Sequence, residues 1–221
     1  MTKSESSVIV GVLIGIDLFI TALNIFPTGN IGVDHFFSLA LESNFTTWYS
    51  SAKLLGGAFL CWSIVRAGIS SKWSIQVLGI LLLCISMSET AMFHERTAAA
   101  IHTIRTGEVW THGGGGAWVI YLSPLVIVSL VFFVRALLLL RREYRRGSVW
   151  LMSGLGTWMV VLAAETTPLW GGDLGPEFLE SAVIVEESCE MIGATFILYG
   201  LLTYLAAAVC ESAPSGRQIH E

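Results

Sequence analysis

Six long apolar stretches separated by short polar segments set the pattern of this chain: Val8 to Phe26, Phe45 to Val65, Trp73 to Phe93, Trp118 to Leu140, Val149 to Leu169 and Phe178 to Val209. A helix needs about 20 mostly apolar residues to cross a bilayer, and each stretch reaches or approaches that length. The pattern predicts an all-α integral membrane bundle of about six transmembrane helices, with residues 1–221 forming a single transmembrane domain. The last stretch is longer than a straight span requires, which predicts a tilted or protruding helix. Trp73, Trp118, Trp150 and Trp170 fall at or beside span ends, where amphipathic rings sit at the headgroup level.

Composition agrees with lipid as the solvent. The chain is 54% hydrophobic and only 13% charged, against about 25% charged in soluble domains, and its mean hydropathy is +0.70. The N-terminal MTKSESS is polar and no small-residue cleavage site follows it, so the first helix is expected to stay. Cys61, Cys84, Cys189 and Cys210 lie in apolar segments without C-x-x-C spacing, which points to small buried hydrophobes rather than disulfides or a zinc knuckle. A net charge of −5 with one short basic loop excludes nucleic acid as a partner; the lipid bilayer is the expected surrounding. The sequence is silent on a membrane-protein partner or a homo-oligomer.

Lysine and arginine in short loops mark the cytoplasmic side. Lys3, Arg66, Lys72, the RREYRR run (Arg141, Arg142, Arg145, Arg146) and Arg217 fall on one side of a six-span arrangement, and Arg96 and Arg105 on the other. Both termini are therefore expected in the cytoplasm of a bacterial-type inner membrane, and the basic run is read as a topology signal in contact with anionic lipid.

With this orientation the acids gather at one level. Glu89 lies near the outer end of the third span, Glu165 near that of the fifth, and Glu186, Glu187 and Glu190 in the outer half of the sixth, with His94 and Glu95 at the mouth of the third. His35, His102 and His112 are in the outer loops. At about 100° per residue, Glu186, Glu187 and Glu190 share one sector of their helix, and Gly193, Ala194 and Gly200 continue a small-residue packing face below them. Glu89 and His94 are about 140° apart on an ideal helix, so a π-bulge or a helix end is needed to bring them together; otherwise Glu89 faces the core and His94 the outer loops. Glu165 precedes Pro168, which predicts a helix end there, with Thr166 and Thr167 as local hydrogen-bond partners.

A mid-membrane acid costs about 2.5 to 3.5 kcal/mol on insertion scales, so several together need a compensating partner. Carboxylates with imidazole from three helices suit a divalent metal such as iron, manganese or zinc. The candidate metal ligands are Glu89, His94, Glu95, Glu165, Glu186, Glu187 and Glu190. The nearest precedent, the di-iron bundle, uses Glu-x-x-His, whereas Glu187 and Glu190 here form Glu-x-x-Glu. Two other readings compete: an ion-pair network with Lys53, Arg96 and Arg105, and a proton or cation pathway. Asp17 in the first span is either a separate proton-relay residue or a buried polar group bonded to a neighbour such as Asn24. THGGGGAW is either a lid carrying His112 or a linker. The chain has no G-x-S-x-G, H-E-x-x-H or Walker motif.

The segments SETAMFHE and EESCEMIGATFILYGLL together resemble a family of uncharacterised bacterial multi-pass membrane proteins with an acidic-Glu-x4-His-Glu motif and a Glu-Glu-x2-Glu-Met motif. The similarity runs from about Asn44 to Leu205, and Ser88 stands where that family commonly has aspartate. The resemblance implies that Glu89, His94, Glu95, Glu186, Glu187 and Glu190 belong together; it implies no activity. The resulting expectation is an outward-facing carboxylate and histidine site that binds a divalent metal, in an enzyme if the metal polarises a substrate or activates water. The alternative is a non-enzymatic membrane subunit or an ion or proton carrier using the same carboxylates.

Overall fold

The computed structural model describes residues 3–39, 41, 44–68, 72–108, 117–167 and 175–212. These residues are all helical or irregular. The helices in chain order are α1 (Lys3–Ile25), α2 (Ile31–Phe36), α3 (Phe45–Arg66), α4 (Lys72–Ala91), α5 (Phe93–Thr106), α6 (Ala117–Tyr121), α7 (Ser123–Glu143), α8 (Arg145–Glu165) and α9 (Pro176–Ser212). Five of them contain segments long and apolar enough to cross a membrane: Ser7–Ile25, Trp73–Ala91, Ser123–Arg142, Arg145–Glu165 and Ser181–Val209. Large apolar side chains such as Val8, Phe19, Leu125, Val131 and Val149 point outward, the arrangement of a multi-pass membrane protein whose outer surface meets lipid.

The second apolar stretch, α3, is 22 residues long yet is not among those five. Its sequence explains this: Thr46, Ser50, Ser51 and Lys53 lower its hydropathy, and all four are buried. A helix surrounded by other helices can carry polar groups that a lipid-facing helix cannot. α3 packs against α4 and α9, and Ser51 Oγ bonds to the Ser86 backbone oxygen at 2.8 Å.

Two predicted boundaries move. The third stretch ends at Ala91, because Met92 adopts a left-handed conformation (φ 51°) and starts a new helix, α5, at Phe93. Residues 94–106, expected as an outer loop, are thus helical; the apolar run alone did not reveal them because α5 mixes alanines with His94, Glu95, Arg96, His102 and Arg105. The fourth stretch is two helices, α6 and α7, divided at Leu122. Pro124, at the start of α7, lacks an N–H and its ring opposes the carbonyl four residues back, which favours a break there.

The main core joins α3, α4, α7, α8 and α9 through Leu54, Ile75, Leu82, Leu140, Leu151 and Ile197. α1 sits at the edge, against α9, in a smaller cluster of Ile20, Leu39, Tyr49 and Met191. α8 and α9 pack antiparallel through paired glycines. A Cβ on Gly154 would lie 2.8 Å from the Gly193 carbonyl oxygen, and one on Gly147 would lie 2.9 Å from that of Gly200. Gly193 and Gly200 belong to the small-residue face expected from the sequence; their counterparts Gly147 and Gly154 come from α8. Of the cysteines, Cys61 is buried as expected, Cys84 is exposed on the outside of α4 and Cys189 is intermediate. Cys210 lies outside the residues whose side chains are described.

Candidate functional site

The glycine contacts hold the end of α8 beside the N-terminal half of α9. There the carboxyl groups of Glu165 and Glu186 hydrogen-bond to each other, and the charges of Glu187 and Glu190 act on Glu186. Two ionised carboxylates in such contact repel, so a proton or another cation shared between them would lower the cost of bringing them together. Trp118 on α6 donates its indole N–H to Glu165 Oε1 at 2.6 Å. Just beyond Glu165, Thr166 and Thr167 turn their hydroxyls back onto the α8 carbonyls of Leu162 and Ala163. Pro168, which suggested that helix end, lies outside the described residues.

His94 joins this group from α5. Its ring meets Trp118 edge to face, with centroids 4.7 Å apart. Ser88 Oγ lies 2.8 Å from His94 Nδ1 and accepts the His94 backbone N–H at 3.3 Å. The helix break at Met92 makes this contact between Ser88 and His94 possible. Ser88, which removes a possible ligand by comparison with the resembled family, here holds the imidazole.

Burial lowers the His94 imidazole below its ordinary value of 6.5, and the charges of Glu95 and Glu165 oppose that shift. The unfolded chain therefore takes a proton at this position at higher pH than the folded chain, so the stabilisation is present above about 6.5 and is lost as the pH falls through that value. Wild-type protein is expected to lose thermal stability between about pH 7.5 and 5.5, and His94→Gln to lose less over the same interval. Equal losses in melting experiments would show that His94 does not carry the effect.

The remaining candidates are distributed around the pair. Glu89 is half-buried in the last turns of α4 and Glu95 is half-buried in the first turn of α5. Among the described residues no three His, Cys, Asp or Glu side chains are arranged to hold a metal ion, so the seven residues do not form one compact ligand set. Of the loop histidines, His35 is exposed, His102 Nδ1 lies 2.9 Å from the Tyr121 hydroxyl, and His112 with its glycine run lies outside the described residues.

Asp17 is a buried polar group bonded to neighbours, one of its two expected roles, but its partners and those of Lys53 are not the ones named from the sequence. Asp17 does not bond Asn24, whose side chain instead ties α1 to the backbone of Phe37 and Leu39. Lys53 is not paired directly with an outer glutamate. The two residues form a buried ion pair at 2.7 Å. Lys53 Nζ also donates to the Met191 carbonyl at 2.8 Å and to Thr195 Oγ1 at 3.2 Å, while Thr195 donates to Asp17 Oδ2 at 2.7 Å. The ammonium lies 4.2 Å from the centre of the Tyr49 ring, and Thr21 of α1 donates to Ser188. Glu190 reaches Lys53 only through its charge. A signal was available: opposite charges inside membrane helices are expected to pair. Thr195, Ser188, Ser88 and Trp118 carried no signal of their role, because each acts through a contact between distant parts of the chain.

No curated protein and no solved structure matches this chain. Residues 8–208 match a family described as a domain of unknown function. The chain belongs to that family, Domain of unknown function (DUF8692).

Proposed function

We propose that this protein binds a cation at the outer end of a six-span bundle in a bacterial inner membrane. In this reading α3 is the sixth span, both termini are cytoplasmic, and the site faces the periplasmic or extracellular side. The observation that carries it is the hydrogen-bonded pair of Glu165 and Glu186, contributed by two helices, with two further glutamate charges beside it. A divalent ion such as manganese, iron or zinc takes the position between the two carboxyls, and oxygen donors suit the harder of these ions. A third donor comes from Glu187 or Glu190 turning inward, a change of side-chain rotamer. His94, Glu89 and Glu95 form the surrounding polar rim. Catalysis by such a metal is the further possibility the chemistry allows.

The second reading is a carrier in which the bound cation is a proton, favoured by the same carboxyl contact. One experiment separates them. Titration of purified protein in lipid nanodiscs with Mn²⁺ is expected to give stoichiometric binding that Glu186→Gln weakens by at least about tenfold, an effect that even outer partners of metal ligands produce. Absence of divalent binding to the wild type sinks the metal reading. A protonated-carboxyl infrared band removed by Glu186→Gln then supports the proton carrier.

A further inference from the structure

Arg135 lies inside the α7 segment Ser123–Arg142, which is long and apolar enough to cross the membrane, and it is exposed. The opposite face of α7 is buried through Phe133, Ala136, Leu137 and Leu140, whereas Val128, Val131 and Leu138 on the Arg135 side are 49%, 59% and 54% exposed. The guanidinium therefore leaves the helix on its lipid-facing side. Among the described residues no carboxylate forms a salt bridge with it. At about 1.5 Å per residue, Arg135 is about 9 Å short of Arg141 along the axis, within the acyl region of one leaflet. A cation at this depth extends its long side chain toward the nearer headgroups. Arg142 lies about two turns further along the same face and is also exposed, as are Arg141, Arg145 and Arg146.

We propose that Arg135 and Arg142 hold the phosphate of one anionic phospholipid of that leaflet, with its acyl chains lying along Val131 and Val128. The site differs from general attraction to the basic turn because one of its two cations is set deep on the helix, where only a lipid already in the bilayer reaches it. Guanidinium groups favour this occupant, since each offers a planar fork of N–H donors to phosphate oxygens. A symmetric second copy packed on this face brings Arg135 toward Arg135 and is disfavoured by like charge.

The test is native mass spectrometry of the whole protein released from nanodiscs of phosphatidylcholine containing phosphatidylglycerol. Wild type is expected to retain one phosphatidylglycerol that Arg135→Gln retains about fivefold less well, the effect of losing about 1 kcal/mol per basic residue near a membrane surface. Arg135→Lys, which keeps the charge and loses the fork, is expected to fall between them. Arg105→Gln, at the other end of the bundle, is expected to match wild type. Equal retention by wild type and Arg135→Gln overturns the proposal. So does a dimer or a fixed protein partner that Arg135→Gln abolishes whatever the lipid.

Discussion

Replacing Lys53 with methionine is expected to destabilise the protein by about 3–5 kcal/mol, the usual effect of removing one partner from a buried ion pair. The change leaves the Asp17 carboxylate, fully buried between α1, α3 and α9, with the hydroxyls of Thr195 and Tyr49 but no positive charge beside it. Asp17→Leu is expected to have a similar effect by stranding the ammonium. The double variant Asp17→Leu with Lys53→Met removes both charges and is expected to recover most of the loss, because a buried pair exchanged for packed apolar groups is often neutral. Unfolding in mixed micelles measures all three. If the double variant is as unstable as the sum of the singles, the pair contributes through packing rather than through mutual neutralisation. The expected consequence of either single change is structural: α1 lies at the edge of the bundle, and Asp17 and Thr21 are its polar ties to the centre.

The second large effect is expected at the contact of α8 with α9. Gly154→Ala places a methyl group 2.8 Å from the Gly193 carbonyl oxygen and 3.2 Å from the Ile197 backbone nitrogen, as well as 2.6 Å from an Ile197 side-chain carbon. A side chain can turn away, but the two backbone atoms move only if the helices separate, so a loss of about 1–3 kcal/mol is expected. Gly156→Ala is the control, two residues along the same helix with nothing within 4 Å of its added Cβ. Alanine also favours helix over glycine by about 1 kcal/mol, so the control is expected to be neutral or slightly stabilising. Equal effects of the two substitutions in an unfolding assay would refute the close contact. Because the same helices carry Glu165 and Glu186, Gly154→Ala is also expected to weaken any cation binding by that pair.

How much of this was legible in the sequence depended on the range of the interaction. Hydropathy acts residue by residue against the solvent, so the apolar runs alone placed α1, α4, α7, α8 and α9 within a few residues and identified lipid as their surroundings. Helical phase acts over a few residues, so it placed Glu186, Glu187 and Glu190 in one sector, and their charges do interact. Both signals weakened where local chemistry was mixed. α5 was hidden by its polar residues, and the division between α6 and α7 was hidden inside an apolar run.

Partners were decided only by the tertiary structure. The sequence placed Asp17 and Lys53 in different helices and offered each the wrong neighbour, since a contact between residues 36 apart depends on how α1 docks. It set Glu165 among six other candidates, and the packing of α8 on α9 selected Glu186 as its partner. It read Ser88 as a lost ligand, and a single left-handed residue at Met92 brought that hydroxyl to His94. The sequence by itself determined which segments are apolar enough for a bilayer, because that depends on the free energy of each residue in lipid. Which acid meets which base, and where two helices approach closely enough to exclude a methyl group, was left to the packing of the assembled bundle.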